Sequence, residues 1–299
     1  MRKVKFIVLC FMVMMAFASY ASAARFYSEW RGPEGGSWNV ATAVNTNWSI
    51  TTVPIASAYV NGVRPADYYQ AGFKGFGAAP GTVRSPGITA GAVACDVLSL
   101  GGALGGRLTI NGGTLNVSEY FTMGAASTEI GTFEMISGAL NTGVQSSNAK
   151  FFVGQSGKGT LNMTGGTITI GDWGTGNIHG VLSNLFLCQN YLTTPLLTEA
   201  LVNLNGGAIY AANLEMQADA VAAGKAKIVI TDGFLVLTGN DTATLAPWLN
   251  TCITTTNVGG TVMAVWDESR NMTRVWATPE PATVCLLGLG ALVLRRNKK

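Results

Sequence analysis

Charge is scarce in this chain. Of its 299 residues only 12% are Asp, Glu, Lys or Arg, and there is a single His. Disorder needs high charge and low hydrophobicity, so 48% hydrophobic residues with so few charges exclude a largely disordered chain. A basic stripe is also missing. The formal charge is +3, but Arg2, Lys3, Lys5, Arg295, Arg296, Lys298 and Lys299 all sit at the two ends. Between Ala24 and Thr278, 12 Lys and Arg face 15 Asp and Glu, a balance of −3. Nucleic-acid binding needs a concentrated cationic face, and no nucleic-acid partner is expected. Cysteine is sparse too. Cys10 and Cys285 lie in apolar terminal runs, and Cys95, Cys188 and Cys252 allow at most one bridge and one odd thiol. The simplest reading makes those three small buried apolar side chains. No CxxC or Cys/His spacing suggests a metal, no phosphate loop GxxxxGK[ST] occurs, and the turns lack the dense Asp of calcium-binding repeats. No cofactor is expected.

What the chain does have is Gly, 38 residues of it, with Thr, Asn, Ala and aliphatics. Gly supplies the positive φ that tight turns demand, so this composition points to a turn-rich all-β fold. The ends read as addresses. Met1-Arg-Lys-Val-Lys5 is a basic start, Phe6 to Phe17 is apolar, and Ala21-Ser-Ala23 offers small residues to a signal peptidase. Cleavage is expected after Ala23. At the far end Pro279-Glu280-Pro281 precedes the apolar run Val284 to Leu294 and the basic Arg295-Arg-Asn-Lys-Lys299. As a helix that run rises only ~16 Å, about half of a ~30 Å hydrocarbon core. It is a poor permanent span but a good transient anchor with a positive-inside stop.

This ending resembles the PEP-CTERM sorting signal of Gram-negative bacteria. The resemblance covers roughly Thr278 to Lys299, and Cys285 and the short apolar run depart from it. It implies an exosortase-type processing enzyme as partner, with Pro279, Glu280 and Pro281 as the sorting motif. It further implies a protein held transiently at the inner membrane through its C-terminal helix and then sent to the envelope, outer surface or extracellular matrix.

Between the ends the sequence repeats itself. Arg107-Leu-Thr-Ile-Asn-Gly-Gly-Thr-Leu-Asn-Val117 recurs from Thr132, from Thr160, from Leu201 and, one residue shorter, from Lys227. Each unit reads apolar-x-apolar, a turn ending in Gly, then a second alternating segment. A third short segment follows: Leu98–Leu100, Phe121–Met123, Phe151–Val153, Leu185–Leu187 and Leu214–Met216. Three short strands per unit predict a coil that cannot bury its own apolar face and must stack on neighbours. The predicted inward ladders are Leu108, Phe133, Leu161, Val202 and Ile228; Ile110, Met135, Met163, Leu204 and Ile230; and Leu115, Leu140, Ile168, Ile209 and Leu235. The expected fold is a single right-handed parallel β-helix, or solenoid, of about five or six coils. A β-sandwich of hairpins is the competing arrangement, but hairpins do not explain the third segment. The expected organisation is a signal peptide over 1–23, a cap and first coil over 24–94, repeats over 95–238, a C-terminal cap over 239–277 and the sorting segment over 278–299. Within that last cap, Ala243 to Asn250 suggests a short helix, and Val262–Trp266 with Thr273–Trp276 a hairpin. The repeat units, with the Trp38/Trp48/Pro54 opening before them, resemble the β-strand repeats of autotransporter-type passenger domains, which implies architecture rather than activity.

Enzymatic use of such a fold needs carboxylates clustered on one face. Glu134 and Glu215 each stand without a stacked acid, and His179 is a lone loop residue, so no catalytic residues are expected. The one surface feature with binding potential is aromatic: Phe152, Phe186 and Tyr210 are expected to point outward on neighbouring coils, where rings could stack on sugars. The function expected is that of an exported structural or adhesive element, with extracellular polysaccharide as a candidate partner. A glycan-active or glycan-binding protein is the alternative.

Overall fold

Alternating apolar residues on either side of a Gly corner form long, bent strands. The computed structural model describes residues 25–29, 68–74, 87–103, 105–143, 149–171, 183–190, 193 and 197–278. The signal segment, the Trp38/Trp48 opening, His179 and residues 279–299 lie outside them. The described chain is mostly β-strand. In order the strands are β1 (Arg25–Glu29), β2 (Tyr68–Lys74), β3 (Gly87–Ile88), β4 (Ala92–Gly101), β5 (Gly106–Met123), β6 (Ile130–Thr142), β7 (Lys150–Val153) and β8 (Lys158–Ile170). They continue as β9 (Asn184–Leu187), β10 (Glu199–Ala211), β11 (Asn213–Met216), β12 (Ala226–Ile230), β13 (Phe234–Thr238), β14 (Ile253–Thr254), β15 (Val262–Asp267) and β16 (Met272–Ala277). Among the described residues the helices are α1 (Ala218–Ala222), α2 (Thr242–Leu245) and one 3-10 turn.

All sixteen strands belong to one curled sheet. From β1 to β14 the pairings are parallel, and each repeat unit pairs with the unit before and the unit after it. The register is the one the repeat predicts. Leu108 faces Phe133, then Leu161, Val202 and Ile228; Ile110 faces Met135, then Met163, Leu204 and Ile230; Leu115 faces Leu140, then Ile168, Ile209 and Leu235. All fifteen side chains are fully buried in one core cluster. Leu98, Phe121, Phe151, Leu185 and Leu214 form the matching ladder of the third segments. Burying one such side chain contributes roughly 1.5–3 kcal/mol, so the ladders supply most of the cohesion between units. On the outer face Asn203 donates to Asn162 at 2.8 Å and Asn141 donates to Asn116 at 2.9 Å. These amides continue the same one-unit step in polar form.

The corners depend on Gly for lack of room. Gly138, Gly166 and Gly207 have φ of 92°, 77° and 75°. A Cβ on Gly166 would stand 2.8 Å from the carbonyl oxygen of Gly138, and one on Gly207 2.6 Å from that of Gly166. The corner residues therefore stack backbone on backbone.

The parallel stack ends at β13. On one side β13 pairs with β10 in parallel; on the other it pairs with β16 antiparallel, and β16 pairs antiparallel with β15. Val275 of β16 is fully buried beside Leu235 and Val262 is 2% exposed, so this hairpin adds to the core while reversing strand direction. Cys95, Cys188 and Cys252 are all buried.

Candidate functional site: the outer groove and the C-terminal exit

Along the third segments the outward positions form a column: Ser99, Thr122, Phe152, Phe186 and Glu215. Phe152 and Phe186 stack with centroids 5.0 Å apart and planes at 21°. Tyr120 meets Phe152 edge-on at 6.3 Å. The expectation that these two rings are open to solvent needs correcting, because Phe152 is 4% and Phe186 9% exposed. The reason is geometric. Parallel strands lie ~4.8 Å apart, so equivalent rings on successive units must stack and cover each other's faces. Tyr210 is half-buried and stands in a different column, edge-on to Phe234 at 6.4 Å. The structure thus brings Phe152 and Phe186 together and leaves Tyr210 apart.

Beside the aromatic column runs a glutamine ladder that the sequence reading missed. Thr122 Oγ1 donates to Gln155 Oε1 at 3.0 Å, Gln155 Nε2 donates to Gln189 Oε1 at 3.2 Å, and Gln217 Nε2 donates to the Gln189 carbonyl at 3.4 Å. The signal was present: Val153-Gly-Gln155, Leu187-Cys-Gln189 and Met216-Gln217 each place Gln just past the third segment. At the end of both columns lies a groove of about 420 Å³, lined by Phe186, Gln189, Glu215 and Gln217 on one side and Thr244 and Trp248 on the other. Asn184 Nδ2 donates to Glu215, and Asn213 Nδ2 donates to Asn184 Oδ1 at 2.9 Å. These amides hold the carboxylate in place. Glu215 is the one carboxylate among the described lining residues. The Trp248 ring, three amide or hydroxyl side chains and one fixed carboxylate suit a polyhydroxylated ligand, whose ring face stacks and whose hydroxyls both donate and accept.

Glu134 accepts from Arg107 at 2.5 Å across one unit step, which places it in a partly buried ion pair. A second, smaller hollow of about 300 Å³ lies between Asp232, Phe234, Asn257, Arg274 and Trp276. The Arg274 guanidinium sits 4.1 Å from the Phe234 centroid, within cation–π range.

The last described residue is fixed in place. Thr278 N donates to the Thr261 carbonyl at 2.8 Å, and Asn257 Nδ2 donates to the Thr278 carbonyl at 3.5 Å. The chain is therefore anchored one residue before Pro279. Pro279, Glu280 and Pro281 lie outside the described residues. In sequence they open a segment of two prolines flanking Glu280, a short apolar run and a basic terminus. Residues 277–299 match the PEP-CTERM protein-sorting motif. The PEP-CTERM segment marks an exported protein that is sorted in association with the membrane and is a substrate of an exosortase. The match covers the tail alone. No curated protein and no solved structure matches the chain.

Proposed function

We propose that this protein is a non-enzymatic structural or adhesive element of the cell envelope or extracellular matrix, built as a right-handed β-solenoid and delivered by its PEP-CTERM tail. The single observation that carries this reading is the sorting motif at 277–299 following directly on the folded body. The parallel, one-unit register from β3 to β14 supports the solenoid. Parallel crossovers within one sheet are right-handed in nearly all cases. The groove's single carboxylate supports a role without catalysis, because glycoside hydrolysis takes a pair.

The tail acts by a division of labour. Pro279 and Pro281 keep their stretch extended and deny it helical hydrogen bonds. Val284 to Leu294 holds it at the bilayer, and the basic end resists translocation. Replacing Pro279, Glu280 and Pro281 with Ala in the native host should leave an unprocessed, membrane-bound precursor. A stop at Ala282 should release soluble protein. Intact mass and fractionation read both outcomes, and a triple-Ala variant processed like the parent would overturn the assignment.

The groove favours a second reading, a glycan-binding function on the same scaffold. Its combination of Phe186, Trp248, Glu215 and Gln189 is the observation behind it. Retardation in gels cast with acidic and neutral polysaccharides tests it. Glu215→Gln, which keeps the acceptor for Asn184 and removes the charge, and Gln189→Ala should each abolish any retardation without lowering the unfolding temperature appreciably.

A further inference from the structure

Exposed apolar side chains are not spread evenly over this protein. Among the described residues seven large ones are exposed, and four of them fall within 258–266: Val258 at 77%, Met263 at 43%, Val265 at 45% and Trp266 at 36%. They occupy β15 and the loop leading into it. Met263 pairs with Trp276 and Val265 with Arg274, so both share one face of the terminal hairpin with those residues. That face continues across β13, where Phe234 pairs with Trp276. β15 is also the last strand of the sheet, so its outer edge is an end.

The position of this patch is as telling as its composition. Thr278 is hydrogen-bonded to Thr261, the residue just before β15. Only residues 279–283 separate it from the apolar run that begins at Val284. Six Cα steps reach at most roughly 20 Å. A chain whose tail enters a bilayer therefore brings this hairpin to the bilayer surface.

We infer that the exposed face of the β15–β16 hairpin, with Met263, Val265 and Trp276, rests on the lipid interface while the tail is inserted. This rests on the proposal that the tail anchors the chain. Trp favours the headgroup region, where an apolar ring and a polar N–H are both satisfied. Arg270 and Arg274 supply cations for lipid phosphates, against Asp267 and Glu268 at the turn. Apolar contact therefore dominates over charge. The seating is interfacial, because an open strand edge cannot enter hydrocarbon with its backbone groups unpaired. Its consequence is orientation: the hairpin holds Pro279-Glu280-Pro281 close to the bilayer at a fixed aspect for a membrane enzyme.

The test uses the full chain, reconstituted through its own tail into vesicles of phosphatidylethanolamine and phosphatidylglycerol. A Cys10→Ala/Cys285→Ala background removes the thiols of the two terminal runs, and the buried body cysteines resist labelling. A spin label is placed by Met263→Cys or Val265→Cys, with Asn111→Cys as the exposed control. Collisions with lipid-soluble oxygen should rise several-fold at 263 and 265 over the control, and collisions with an aqueous nickel chelate should fall several-fold. Water accessibility equal to that at 111 overturns the inference. Spin–spin broadening that grows with protein-to-lipid ratio assigns the face to a second copy and overturns it. Protection from both probes assigns it to the chain's own tail, with the same result. Co-flotation is scored separately: a chain that fails to float with the vesicles overturns the tail reading and this inference together. A chain that floats but is wet at 263 and 265 overturns only the inference.

Discussion

At the residue scale, the most informative positions are those that depart from their own column. Thr142 occupies a place held by Val117 in the preceding unit and Ile170 in the next. It is fully buried, and its Oγ1 has no hydrogen-bond partner among the described residues. A buried hydroxyl left unsatisfied costs about 1–3 kcal/mol. Thr142→Val, which keeps the shape, should stabilise the protein by about 1 kcal/mol, read as a raised urea midpoint at constant slope. An unchanged midpoint would mean that the hydroxyl is satisfied. Cys188 departs in another way. It takes φ of 57°, as Gly124 and Gly154 do with 62° and 66° at the corresponding corners. Its thiol donates to the Lys225 carbonyl at 3.5 Å, and burial pushes its pKa up to about 12. Thiolate is the reactive form, so Cys188 should resist alkylation at pH 8 in the native protein and react once urea unfolds it. Mass spectrometry after a timed pulse of iodoacetamide checks this, and rapid native modification would show that the corner opens.

At the scale of elements, the Gly corners join sequence to fold. Gly166→Ala meets two obstacles at once: a left-handed φ of 77°, and the Gly138 carbonyl oxygen 2.8 Å from the new Cβ. The left-handed backbone costs a non-Gly residue roughly 1–2 kcal/mol, and overpacking adds about 1–3 kcal/mol. The variant should lose about 2–5 kcal/mol on these grounds, while Gly239→Ala, with open space around its Cβ, should lose only the backbone part. Equal losses at the two sites would show that stacking at the corner is not what excludes a side chain. The same corners explain what the sequence could disclose. The ladder from Leu108 to Ile228 was legible because a strict period of two repeats across a fixed Gly. The covering of Phe152 by Phe186 was not, since burial there comes from a neighbour one unit away rather than from alternation within the strand. The groove was illegible for a related reason. It needs Thr244 and Trp248, which lie outside the repeat and reach Glu215 only after the chain has turned back through α2. The glutamine ladder had a sequence signal at Gln155 and Gln189, hidden because Cys188 replaces the corner Gly of the earlier unit and Gln217 follows its third segment with no corner residue between.

At the scale of the whole molecule, a stack of units makes a distinctive claim about how stability is shared. Among the described residues each repeat pairs with the repeats beside it, and in the proposed solenoid stability is then close to a sum of unit and interface contributions, so that one end can open while the rest persists. The terminal hairpin is the place to test this. Val275 is fully buried against Leu235 and lies far along the axis from Leu115 and Leu140. Val275→Asp puts a carboxylate where no partner exists, at a cost of several kcal/mol. In a single cooperative globule that cost lowers the protection of every core amide together. In a stack it is confined: amide hydrogen exchange should accelerate by orders of magnitude over β12, β13, β15 and β16 and stay near the parent's rate at Phe133, Met135 and Leu140. An intermediate fall should mark β10, which pairs directly with β12 and β13. The exposed β13 edge should also make the variant self-associate, visible as concentration-dependent sedimentation, because the antiparallel partner that covers it is displaced. Uniform loss of protection from β5 to β16 would refute the linear stack and return the repeat to a single cooperative sheet.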